Sequence, residues 1–118
     1  TRDSAEKYLR SLIKDPDIQL TVLESENPSP VSVIGGESWD KITYAVKGTW
    51  DDTLVSPYLM FACSDAKHWS KVSDKVYRFS AMALTSEERG TIHGNNERIP
   101  LDTIKKSVEF YIRLIKKC

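Results

Sequence analysis

A polar loop runs directly into the clearest helical pattern of the chain in the stretch TIHGNNERIPLDTIKKSVEFYIRLIKK, residues 91–117. Pro100 stands where a helix begins, and Lys116 and Lys117 suit the negative C-terminal end of that helix. The apolar residues recur at helical spacing and form one continuous stripe: Leu101, Ile104, Val108, Tyr111, Ile112 and Ile115. We therefore predict a long helix whose stripe lies in the core.

The loop before this helix carries His93, one of two histidines in the chain, followed by Gly94. Imidazole is the commonest zinc ligand, and a glycine lets the backbone fold close to a site. Glu97 lies four residues further on, where a carboxylate can orient the imidazole ring. A loop histidine is nevertheless more often solvated than bound to metal, so these residues alone leave both interpretations open. His68 is interpreted as an exposed or helix-packed residue.

Length and composition indicate one soluble globular domain: 118 residues, 40% of them hydrophobic and 29% charged. The 17 basic and 17 acidic residues give zero net charge. This balance argues against nucleic acid or an anionic membrane as a partner. No apolar run approaches the roughly 20 residues that span a bilayer.

The two cysteines, Cys63 and Cys118, form neither a metal cluster nor a disulfide framework. We predict two reduced thiols, Cys63 buried beside a strand, in a cytoplasmic protein. Thr1 leads almost at once into a helix, and we expect the sequence to be a piece of a longer chain.

The first part of the chain is typical of a helix, a tight turn and a strand. Asp3 and Glu6 have the spacing of a capping box, and residues 15–17 end the helix at Pro16. Apolar and polar residues then alternate over 18–22, as in a half-buried strand. Residues 25–37 lose this periodicity and contain prolines and a Gly-Gly pair. They predict a boundary between two packing units, with a long surface loop as the alternative.

Helices and strands follow one another after this boundary. Ser38 is a possible cap for a helix whose inner face consists of Trp39, Ile42, Ala45, Val46 and Thr49. Residues 54–61 predict a core strand with a bulge or an edge at Pro57, and residues 75–79 predict a second strand. Ser64 or Asp65 is the predicted cap of a short helix extending to about Val72. Thr85 and Glu88 predict a second capping box. The predicted fold class is α/β.

Five segments, taken together and in order, resemble a known family: PYLM at 57–60, the Ser-Asp turn at 64–65, VYRFS at 76–80, HGNNERI at 93–99 and FYIRLI at 110–115. They are similar to the C-terminal part of the aminoacylase and carboxypeptidase S family of dinuclear-zinc metallopeptidases. The resemblance implies that residues 1–27 end a lid domain, often used for dimerisation. Residues 28–118 would then be the C-terminal part of the catalytic α/β domain.

The resemblance also implies roles for individual residues. His93 would bind one of two zinc ions, with Glu97 supporting it. Ser64, Asp65 and Lys67 would form a turn on the substrate side of the active site. Asp65 matches the family pattern, whereas Ser64 stands where threonine is common, Cys63 where glycine is common and Lys67 where arginine is common. Lysine keeps the charge but loses the bidentate fork that grips a carboxylate.

The family mechanism is metal-assisted amide hydrolysis, in which zinc activates a water and a glutamate acts as general base. That base and the remaining ligands lie upstream in such proteins, so no catalytic residue is expected in this chain. The resemblance implies the C-terminal piece of a hydrolase of N-acyl amino acids or dipeptides. The piece would be inactive without the preceding catalytic half, and it would self-associate or form a homodimer. The alternative is a non-catalytic α/β interaction or binding module derived from this family.

Overall fold

The computed structural model describes residues 1–23, 25–62 and 64–118. Within these residues the regular structure is helical, and no strand is present. The helices are α1 (Arg2–Leu12), α2 (Glu37–Lys47), α3 (Ala66–Trp69), α4 (Ser86–Gly90) and α5 (Leu101–Lys117). The chain divides into two compact units, Thr1–Pro30 and Val31–Cys118. No helix among the described residues is both long enough and apolar enough to cross a membrane.

The predicted α/β fold class is therefore wrong for the described residues. The segments 18–22, 54–61 and 75–79, each predicted to be a strand, have no regular secondary structure. Leu54 is 95% exposed and Phe61 83% exposed, in a segment predicted to lie in the core. A strand exists only when a second strand accepts and donates its backbone hydrogen bonds, and sequence alternation does not supply that partner.

The first unit is built on α1, which begins earlier than predicted. Thr1, not Asp3, is the N-cap, and its hydroxyl oxygen accepts from the Ser4 backbone N–H at 3.3 Å. Arg10 forms an ion pair with Glu6 at 2.8 Å and also donates to the carbonyl oxygen of Leu20 at 3.2 Å. The bond to Leu20 holds the segment after α1 back along the helix, within this unit.

The second unit has a small core between α2 and α5. The buried apolar residues are Ala45, Val46, Ala81 and Phe110. The Phe110 ring lies 5.1 Å from the Phe79 ring and 5.8 Å from the Trp50 ring, between centroids. The predicted inner face of α2 is confirmed, since Ala45 and Val46 are buried and Thr49 is 4% exposed.

The ends of α2 depend on glycines. Gly36, with φ 76°, is the N-cap, so the predicted Ser38 cap is wrong. Gly48 follows the helix, and a Cβ at this position would lie 3.2 Å from Cδ and Nε of Arg113 on α5. The absence of a side chain at position 48 therefore leaves room for the Arg113 side chain of α5 against the end of α2.

Residues 32–33 lie beside residues 74–77 without forming a strand pair. The Ser32 hydroxyl donates to the Val76 carbonyl oxygen at 2.8 Å and accepts from the Val76 N–H at 3.1 Å. One backbone bond accompanies it, from Val33 N–H to the Asp74 oxygen at 3.1 Å. The Ser32 hydroxyl thus bonds to both the N–H and the carbonyl oxygen of Val76, the two groups that would otherwise bond to a neighbouring strand.

The prediction that the apolar stripe of α5 lies in the core is also wrong. Its six side chains are between 46% and 75% exposed. The residue of α5 that is buried is Phe110, on a different side of the helix. The core-facing side is polar at Thr103, whose hydroxyl donates to the Ala83 oxygen at 3.3 Å, and at Ser107, whose hydroxyl donates to the Ala81 oxygen.

Candidate functional site

The His93 loop is anchored by the helix that precedes it, α4. As predicted, Thr85 and Glu88 form a capping box: the Thr85 hydroxyl oxygen accepts from the Glu88 N–H at 3.2 Å, and the Glu88 carboxylate accepts from the Thr85 N–H at 2.7 Å. Hydrogen bonding of the Glu88 carboxylate to Thr85, first to its backbone N–H and then to its side chain, holds the pKa of Glu88 below its usual value. The Thr91 hydroxyl then donates to the Glu88 carbonyl oxygen at 2.7 Å, so the loop leaves α4 in a fixed direction.

His93 lies in this loop with a left-handed backbone, φ 63°. A non-glycine residue rarely has a positive φ, although histidine does so more often than most. The Gly94 N–H donates to the Thr91 oxygen at 2.9 Å, and a Cβ on Gly94 would lie 3.0 Å from that oxygen. The tight turn therefore requires glycine at position 94, and it holds an exposed histidine at position 93.

Glu97 contacts His93, through the backbone of the histidine. A carboxylate oxygen of Glu97, Oε2, accepts from the His93 N–H at 3.2 Å. This bond fixes the peptide plane from which the imidazole projects. Support of the imidazole ring by Glu97 stays a prediction.

A second tie joins the loop to α4. The Arg98 guanidinium lies 3.4 Å from Oε1 of Glu87, and it donates to the Asn96 carbonyl oxygen at 3.5 Å. Both partners of the ion pair are largely exposed, so it contributes at most about 1 kcal/mol. No role was predicted for Arg98 or Thr91. The position of Thr91, three residues after Glu88, was the signal available for its bond to the Glu88 carbonyl oxygen.

The turn that contains Ser64, Asp65 and Lys67 begins α3. Asp65 is the N-cap of α3, without a side-chain capping bond, while the Ser64 hydroxyl oxygen accepts from the Ala66 N–H at 3.4 Å. Lys67 is half-buried in the first turn. The helix ends at Trp69, three residues before the predicted end. Cys63, predicted to be a buried thiol in this turn, lies outside the described residues.

The His, Cys, Asp and Glu side chains of the described residues do not form a zinc centre. Across residues 1–23, 25–62 and 64–118, no three His, Cys, Asp or Glu side chains converge closely enough to hold a metal ion. Catalytic zinc takes about three protein ligands. His93 offers one imidazole, and the carboxylate nearest to it in the loop already accepts from its backbone. The described residues therefore do not fit a complete zinc site, and we assign no hydrolytic step to them.

Known proteins resemble the chain along most of its length. The N-fatty-acyl-amino acid synthase/hydrolase PM20D1 of Xenopus tropicalis is 32% identical over 109 residues, which cover 92% of this chain and 21% of the relative. Two proteins of Dictyostelium discoideum, named Probable carboxypeptidase S-like 1 and 2, are 30% and 26% identical over 92% of this chain. The chain spans about a fifth of the length of these relatives. No family model matches it, and no solved structure does.

Proposed function

Because this chain belongs to the aminoacylase and carboxypeptidase S family of metallopeptidases and matches the C-terminal portion of its members, we propose that the intact protein is a zinc-dependent amidohydrolase. Its substrates are small N-acyl amino acids or dipeptides. The chain described here supplies one metal ligand and part of the substrate side of the site. It has no hydrolase activity by itself.

The observation that carries this proposal is the agreement between two kinds of relative. One kind is named for making and hydrolysing N-fatty-acyl amino acids, and the other for carboxypeptidase activity. Both names describe an amide bond to the nitrogen of an amino acid. Such a bond is common to N-acyl amino acids and dipeptides, and this defines the substrate class that we propose.

Within this proposal, His93 binds one of two zinc ions. The left-handed backbone of His93 and the hydrogen bond from its N–H to the Glu97 carboxylate hold the histidine in a defined position in the loop after α4. Such pre-ordering is what a metal ligand needs, because it lowers the entropy lost when metal binds. Glu97 supports the ligand, and Ser64, Asp65 and Lys67 face the substrate. The other ligands and the general base come from the part of the polypeptide that corresponds to the rest of the relatives.

We propose further that the chain self-associates or forms a homodimer when that part is not bound. Large apolar side chains are exposed in both units, among them Leu12 at 58%, Phe61 at 83% and Ile115 at 71%. Exposed apolar side chains of this size favour association between copies of the chain.

The test is made on a polypeptide of the relatives' length that includes this chain. We expect it to hold about two zinc ions and to release the amino acid from an N-acyl amino acid. His93→Ala should lose metal and activity together. His68→Ala, the matched control, changes the other exposed histidine and should keep both. A folded parent without bound zinc or activity would overturn the proposal, as would a His93→Ala variant that keeps its metal.

A further inference from the structure

Helix α5 has three distinct faces, because a helix turns by about 100° per residue. Its inner face packs on the core of its own unit through Thr103, Ser107, Phe110 and Leu114. Its charged face carries ion pairs from Asp102 to Lys105, Lys106 to Glu109 and Glu109 to Arg113. Its outer face consists of the exposed apolar stripe, Leu101, Ile104, Val108, Tyr111, Ile112 and Ile115.

A surface helix needs one face to pack on its protein, and α5 has a second, apolar face besides the one that does so. The inner face already has its partner. The outer face extends over about 21 Å, from Leu101 to Ile115 at 1.5 Å per residue, and none of its side chains is less than 46% exposed. An exposed apolar strip of this length, bordered by ion pairs, marks an interaction surface.

We propose that this outer face packs against the same face of a second copy of the chain, with the two α5 helices antiparallel about a two-fold axis at Val108. The inference deepens the self-association proposed above by naming its surface and geometry, and it does not depend on hydrolase activity. A two-fold axis makes the interface self-complementary, so one face serves both copies.

The spacing of the outer face fits this symmetry. Ile104 and Ile112 lie four residues on either side of Val108, and Leu101 and Ile115 lie seven residues on either side. In an antiparallel pair, Leu101 therefore meets the partner's Ile115 and Ile104 meets the partner's Ile112. Val108 meets the partner's Val108 on the axis. Five of the six apolar positions of the outer face therefore find an apolar position opposite, whereas Tyr111 lies opposite the partner's Lys105.

The charges beside the seam favour the antiparallel direction. Asp102 and Lys116 lie near opposite ends of α5 on one flank of the outer face, and Lys105 and Glu109 lie between them. Antiparallel pairing places Asp102 beside the partner's Lys116, and Lys105 beside the partner's Glu109. Parallel pairing would place the two copies of this flank on opposite sides of the seam, so Asp102 would not meet the partner's Lys116. The exposed side chains of Asp102 and Lys105, at 90% and 73%, are able to rearrange toward these partners.

The first experiment measures mass by light scattering on the 118-residue chain, with reductant present because Cys118 is exposed. We expect a dimer, at twice 13.4 kDa. Val108→Glu places two like charges on the axis and should return the mass to that of one chain, with its helical circular dichroism unchanged. Val72→Glu, at a valine that is 78% exposed elsewhere in the same unit, is the matched control and should remain dimeric. A chain that is still monomeric at a concentration of about 1 mM would have a dimer dissociation constant above that value. Such weak binding overturns the proposal. A Val108→Glu variant that stays dimeric also does so.

The second experiment tests the direction. Asp102→Lys and Lys116→Asp, made singly, each create a like-charge contact in the antiparallel pair and should raise the dimer dissociation constant at least about tenfold. The double variant restores opposite charges and should return the constant to within about twofold of the parent value. A double variant as weak as the single variants indicates parallel pairing or another surface, and it overturns the antiparallel arrangement.

Discussion

Replacing Phe110 with alanine should remove most of the free energy of unfolding of the second unit. The Phe110 side chain is 1% exposed, and its ring touches those of Phe79 and Trp50 at centroid distances of 5.1 and 5.8 Å. A buried Phe→Ala change costs about 3–5 kcal/mol, from lost transfer energy and from the cavity that remains. A domain has only about 5–15 kcal/mol of stability in total. With so few fully buried neighbours in the described core, the loss leaves a marginal fold.

Urea unfolding followed by tryptophan fluorescence measures this loss, because Trp50 lies against the ring that is removed. With a slope of about 1–3 kcal/mol per molar urea, the midpoint should fall by at least about 1 M. The matched control is Phe61→Ala in the same unit, where the ring is 83% exposed. We expect that change to alter stability by about 0.5 kcal/mol or less. Equal midpoint shifts for the two variants would refute the assignment of Phe110 to the core.

Substitutions at three places test the capping box of α4, the bonds between Ser32 and Val76, and the His93 turn. Thr85→Ala should lower stability by about 1 kcal/mol, seen as a lower urea midpoint. Since the folded pKa of Glu88 lies below its ordinary value of 4.5, its contribution is present above the unfolded pKa and is lost as pH falls through the folded one. Thermal melts should therefore show a steeper acid loss for the parent than for Glu88→Gln, and parallel curves would contradict this. Ser32→Ala leaves both backbone groups of Val76 without the hydroxyl and should cost about 1–3 kcal/mol. An unchanged melting temperature would count against the bridge. His93→Val puts a β-branched residue at φ 63° and should cost about 1–2 kcal/mol. His93→Asn, which tolerates this backbone, should cost less, and equal melting temperatures would exclude strain there.

Local signals predicted the local structure well. The Thr85 and Glu88 capping box was predicted correctly because it depends on residues three apart. The inner face of α2 was predicted because its apolar periodicity matches the helix period. For α1, the spacing of Asp3 and Glu6 predicted a cap at Asp3, whereas Thr1 caps the helix. A cap pattern therefore locates a helix end only to within a few residues.

Non-local features could not be predicted in the same way. Alternation at 75–79 indicated a strand, but the Val76 backbone is bonded to the Ser32 side chain, 44 residues away in sequence. For α5, periodicity identified an apolar face correctly but gave no indication of what that face packs against. The residue of α5 that is buried in the core, Phe110, lies on the other side of the same helix.

The candidate site was likewise predicted in part and missed in part. His93 and Glu97 were recognised through a resemblance to a family, and the structure does place them in contact. The left-handed backbone of His93 and the bond to its N–H were not predicted, because four-residue spacing describes a helix face better than a turn. Gly94 was the available signal, since a close approach of backbone to backbone demands glycine.

The bridge from Ser32 to Val76 has a consequence for the order in which the second unit folds. Closing a loop of 44 residues costs about 3 kcal/mol in chain entropy beyond a constant. Two hydrogen bonds return about 1–3 kcal/mol net, so they do not close the loop unaided. Helix α2 lies inside this loop, and its Trp39 packs edge-on against Tyr77 at 5.6 Å. We therefore expect the bridge to form after α2 has docked, and the Val76 amide to exchange through brief local opening while α2 and α5 stay packed.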